Sequence, residues 1–127
     1  MKEVIKNVGK LLSEQINYRY LRLRGKAKYP YFIGELYKDG AGDESGESGY
    51  RFLLTGFYRG EDDIQLFEAA DKVLELFPED TGRLVSNRDG KMLISVGEVL
   101  TDFPTDSDTE LSKIQITLDI KRWKGKG

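Results

Sequence analysis

A chain of 127 residues has the length of one domain that buries a core without covalent staples. It contains no cysteine and no histidine, which excludes disulfides, thiolate chemistry, Ser-His-Asp triads and ordinary zinc sites. The formal charge of −2, from 20 basic and 22 acidic residues, argues against a phosphate-driven nucleic-acid binder.

An enzyme built from this sequence would depend on carboxylates, lysine, tyrosine or a hard cation. Lys6 and Lys10 interrupt the N-terminal apolar residues, so no signal-peptide core forms there. No apolar run approaches the ~20 residues that span a bilayer. A soluble intracellular protein without a membrane partner is the expectation.

From Met1 to about Ile16, Val4, Ile5, Val8, Leu11, Leu12 and Ile16 recur at helical spacing, and Asn17 is the expected stop. The period then becomes two. Tyr20, Arg22 and Arg24 alternate with Leu21 and Leu23, which predicts a half-exposed strand. A second strand is predicted over Tyr29–Tyr37 and a third over Tyr50–Arg59. Between them runs DGAGDESGESG, Asp39 to Gly49, with no large apolar side chain and with Asp39, Asp43, Glu44 and Glu47 as acidic residues. Burial cannot repay the ordering of such a segment, so a flexible hairpin loop is expected.

Glu61–Phe77 predicts the second helix, capped by Asp62 or Asp63 and ended by Pro78. Its expected stripe is Ile64, Phe67, Ala70 or Asp71, Leu74 and Phe77, widened by Leu66, Val73 and Leu76. A hairpin follows: Leu84-Val85, a turn at Asn87–Gly90, then Met92–Leu100. Thr101–Glu110 is a second acidic loop with Asp102, Asp106 and Asp108. In the last strand Ile114, Ile116, Leu118 and Ile120 face one way, and Lys113, Gln115, Thr117, Asp119 and Lys121 face the other. Residues 121–127 read as a basic tail. The expected fold is one α+β domain: a mostly antiparallel sheet, two helices packed on one face, and a long flexible hairpin loop.

No motif for chemistry emerges. Counted from Asp106 as a calcium loop, the sixth and twelfth positions hold Leu111 and Thr117 where glycine and glutamate are needed. Gly40-Ala41-Gly42 lacks the third glycine of a dinucleotide fingerprint. No metal, cofactor or catalytic residue is expected, and the chain is read as a non-enzyme. The candidate interaction residues are Asp39, Asp43, Glu44, Glu47, Asp106 and Asp108 from the acidic loops; Arg22, Arg24 and Arg122 from the basic segments; and Tyr31, Tyr50 and Trp123 among the aromatics, since tyrosine and arginine are enriched at interfaces. Acidic loops and basic edges in one chain can also pair head to tail between copies.

The stretch GEVLTDFPTDSDTELSKIQITLDIKRWKG resembles the C-terminal part of tail-terminator and neck proteins from phages and prophages of Gram-positive bacteria. The earlier pieces follow in the same order: an N-terminal helix, KYPYFIGEL, an acidic glycine-rich loop, FLLTGFYRG and a helix opening with acidic residues. The resemblance implies an α+β subunit similar to the lambda-like tail terminator, a virion protein that caps the tail tube as a homo-hexameric ring. Its implied partners are copies of itself, the tail-tube protein and a head-completion or connector protein, with no specific nucleic acid. Its implied location is the virion neck, after assembly in the host cytoplasm. Another neck or minor capsid protein, or a metal-dependent carboxylate enzyme, is the alternative.

Overall fold

A computed structural model describes residues 1–23, 25–26, 28–39, 47–60, 64–87, 90–101 and 111–124. The elements run α1 (Lys2–Ser13), β1 (Tyr18–Tyr20), β2 (Tyr31–Asp39), β3 (Glu47–Arg59), α2 (Ile64–Leu76), β4 (Arg83–Asn87), β5 (Gly90–Thr101) and β6 (Leu111–Lys124). All six strands join one sheet in the order β1-β2-β3-β6-β5-β4. The long β3–β6 ladder at its centre pairs Glu47 with Trp123 at one end and Arg59 with Leu111 at the other.

The α+β expectation is corrected. The protein is mostly β, with strands in 55% of its described residues, and the sheet is mixed and curled into a half-barrel. The β1–β2 pair is parallel, held by Phe32 N–H donating to the Asn17 carbonyl and Leu21 N–H to the Gly34 carbonyl. The helices do not form a layer over one face. α1 lies against β1 at the sheet margin, and α2 against β3 and β6 at its middle.

Glycines in the strands explain the curl. The ring of Phe52 covers Gly34 and the ring of Phe32 covers Gly56, so a Cβ at either position would collide with an aromatic carbon. Removing the side chain inside a strand allows the close approach and sharp bend of a barrel wall. On the other side of the sheet, a bulge between Val96 and Glu98 bends β5 against β6.

Alternation sets the core. Phe32, Leu36, Tyr50, Phe52, Leu54, Met92, Ile94, Val96 and the Ile114, Ile116, Leu118, Ile120 series are buried together. Each such side chain contributes roughly 1.5–3 kcal/mol by leaving water. From the helices come Val4, Val8 and Leu12, and Leu66, Ala70, Val73 and Phe77. The stripe of α2 is therefore not the one expected. Ile64 and Phe67 are 59% and 42% exposed, because the helix turns its 66-70-73-77 row inward. With apolar residues on both adjoining rows, only the sheet decides which row is used.

Other boundaries moved for local reasons. β1 stops at Tyr20 because Leu21 takes φ 66, the left-handed region that costs a leucine on the order of 1–3 kcal/mol, so the predicted strand does not run on through 21–23, and Arg24 lies outside the described residues. Asp39 and Glu47–Gly49 are strand residues paired across β2, β3 and β6, not loop. Lys121–Lys124 likewise extend β6 instead of forming a tail. Residues 40–46 of the first acidic loop, 102–110 of the second and the Asp62/Asp63 cap lie outside the described residues.

Candidate functional site

Alternation that buries one side of β2, β3 and β6 turns the other outward, and the register arranges it in rows. Tyr31, Phe57 and Lys113 form the first; Ile33, Thr55, Gln115 and Leu100 the second; Glu35, Leu53, Thr117 and Glu98 the third; Tyr37, Arg51 and Asp119 the fourth. Tyr31, Ile33, Leu53 and Phe57 are half-buried yet do not pack against the core cluster. They shield one another on the outer face.

One end of this face is aromatic. The rings of Tyr31 and Phe57 stack at 5.0 Å and 24°, with Tyr29 5.4 Å from Tyr31 and 6.5 Å from Tyr58. The Lys113 ammonium stands 5.5 Å from the Phe57 centroid, within cation–π reach. Burial, with Tyr29 alongside, raises the Tyr31 hydroxyl above its ordinary range, against a lowering by Arg59. Cross-strand aromatic pairs contribute roughly 0.5–1.5 kcal/mol beyond their area and hold a flat contact surface at little entropic cost.

The other end is polar. Arg51 lies 3.9 Å from the Asp39 carboxylate, with both side chains more than half exposed, so the pair adds little stability. A recess of about 420 Å³ opens beside it, walled by Tyr37, Lys38, Leu53 and Thr117, and a smaller one reaches Gly97, Glu98 and Asp119. The Tyr37 hydroxyl donates to Glu35, and that bond and charge raise its pKa. Among the described residues no three acidic groups converge to hold a metal ion. The arrangement suits ionic and aromatic contact with another macromolecule.

The expected interaction residues separate. Asp39, Glu47, Arg122 and Trp123 come to the same end of the sheet, where Asp39 pairs with Gly49, Glu47 with Trp123 and Ser48 with Arg122. Arg122 and Trp123 alternate to opposite faces, with Trp123 beside Glu47 on the outer one. Tyr31 is in the aromatic row. Tyr50 is a correction: at 7% exposure it belongs to the core, because its position shares the inward parity of Phe52 and Leu54. Arg22 is exposed just beyond β1, at the sheet margin. Arg24, Asp43, Glu44, Asp106 and Asp108 lie outside the described residues. Sequence reading missed Phe57 and Lys113 beside Tyr31, and Arg51 beside Asp39, since each proximity comes from pairing across strands.

No helix among the described residues is long and apolar enough to cross a membrane. No protein-family model and no curated protein matches the chain.

Proposed function

We propose that the chain is a structural protein of a phage or prophage virion: a tail terminator that caps the tail tube as a ring of identical subunits, six by its resemblance to the lambda-like protein, and offers the opposite side to a head-completion or connector protein. The resemblance in the Gly97–Gly125 stretch and in element order suggests the family. The observation that best supports a docking role is the outer face, where Tyr29, Tyr31 and Phe57 form an aromatic patch and Arg51 with the Asp39 carboxylate a charged one. Apolar anchors beside alternating charge are the composition of protein-binding surfaces. The work is geometric, since a closed ring adds no further tube subunits. The protein would act in the virion neck, after assembly in the host cytoplasm, without a cofactor.

Deleting the coding gene from the phage or lysogen that carries it tests this by electron microscopy of the particles. The expected result is separate heads and tails of uncontrolled length, restored by the wild-type chain and not by Tyr31→Ala/Phe57→Ala. Normal particles from the deletion would overturn the proposal.

A further inference from the structure

The sheet has a basic region at its β1 margin and an acidic one where the turn after α2 meets the free side of β5. Residues 18–30, which form β1 and its connection to β2, contain Arg19, Arg22, Arg24, Lys26 and Lys28 and no acidic residue. Arg19, Arg22, Lys26 and Lys28 are exposed. Toward the other margin, inside the edge strand β4 with its exposed Arg83, Val96 N–H donates to the Phe77 carbonyl at 3.1 Å, which seats the turn after α2 against β5. Residues 75–82 and 95–101 bring Glu75, Glu79, Asp80 and Glu98, all exposed, and no basic residue.

Each margin also carries exposed apolar surface: Leu21, 57% exposed, at β1, and Val99 and Leu100, 38% and 42% exposed, on β5. The strained φ of Leu21 belongs to a side chain that packs into no core of its own subunit. The margins differ in backbone as well. Arg19 Nη1 donates to the Tyr18 carbonyl and Arg22 N–H to the Tyr20 carbonyl, both at 2.8 Å, so β1 is capped from within. β4 pairs with β5 only over residues 90–94, so residues 98–101, paired to β6 on one side, have no strand on the other side among the described residues.

We infer that copies of this chain associate head to tail, the basic β1 margin of one against the acidic β5 margin of the next. This deepens the ring reading and rests on it. A two-fold contact would set like charge on like charge, whereas opposite margins of one sheet give a heterologous contact that can repeat around a ring. Because the β1 carbonyls are occupied, side chains around Leu21 and Val99–Leu100 make the contact, rimmed by the charges.

The test is sedimentation velocity on the full chain across concentration, at low and moderate salt. Two charge-reversed variants are used: Arg22→Glu/Lys26→Glu at one margin and Glu79→Lys/Glu98→Lys at the other. Wild type should associate with rising concentration and dissociate with salt. Each variant alone should associate on the order of 100-fold more weakly, since like charges then face each other. Their equimolar mixture should recover, because the two reversed margins are opposite in sign and meet each other, while the two unreversed margins meet as in wild type. Circular dichroism checks folding, and Arg22→Ala and Glu98→Ala, expected to weaken association to a lesser degree, replace any variant that does not fold. Variants that assemble like wild type, or a mixture that does not recover, would overturn this contact while leaving the ring reading intact. A wild-type chain that stays monomeric throughout would overturn both.

Discussion

The two faces of β6 show how one strand divides its labour. Ile114, Ile116, Leu118 and Ile120 are buried to within 2% exposure and meet the rings of the half-barrel wall and the apolar rows of the helices. One residue along, Lys113, Gln115, Thr117 and Asp119 stand in rows with Phe57, Thr55, Leu53 and Arg51 on the outer face. The inner face is closed by shape, down to glycines that admit a ring and nothing more. The outer face is finished only by contacts among its own side chains, so it can change partners without unfolding the protein.

The largest effect should come from emptying the inner face. Ile116→Ala should cost about 2–5 kcal/mol in denaturant unfolding, through lost burial and the cavity left behind. Its neighbour Gln115→Ala should stay within about 0.5 kcal/mol. Equal losses at the two positions would mean that β6 is covered on both sides. Overfilling should hurt less: Gly56→Ala places a methyl against the Phe32 ring and should cost about 1–3 kcal/mol. Unchanged stability there would separate the curl of the sheet from the aromatic-over-glycine contact.

On the outer face a double-mutant cycle of Tyr31→Ala and Phe57→Ala should give a coupling of about 0.5–1.5 kcal/mol for the stacked pair. No coupling would make the row a set of independent surface residues.

The smallest effect concerns Tyr18, whose buried hydroxyl has no hydrogen-bond partner among the described residues. Burial, aided by Tyr20, raises its pKa above the ordinary 10.0. The folded state thus keeps a proton that the unfolded chain releases near pH 10. The stability linked to this group is complete below that pH and declines as the pH climbs above it. Tyr18→Phe should change stability at pH 7 by less than about 1 kcal/mol and flatten the alkaline decline. An equally steep decline in the variant would assign it to other tyrosines, of which Tyr31 is shifted in the same direction.

The sequence made some of this plain and hid the rest for physical reasons. The order of helices and strands and the inward row of β6 were readable because a period of two over a long strand admits only one buried face. The row used by α2 was not, since Ile64 and Phe67 are as apolar as Leu66 and Val73 and only packing chooses between them. The strand character of Asp39 and Glu47–Gly49 was hidden because composition suggested a loop, while pairing of Asp39 to β3 and of Glu47–Gly49 to β6 supplied the hydrogen bonds that composition did not. The site was legible in residue types, tyrosine and arginine, but not in membership. Tyr50 went to the core by parity, while Phe57 and Lys113 joined Tyr31, and Arg51 joined Asp39, through cross-strand pairing, which no single segment encodes.

The most direct test of the proposed terminator role is to add the purified chain to growing tubes of a tail-tube protein encoded in the same genome and to measure tube lengths by electron microscopy. Growth should stop early, with density capping one end of each tube, and Tyr31→Ala/Phe57→Ala should leave it running. Tubes that lengthen equally with and without the wild-type chain would contradict the account.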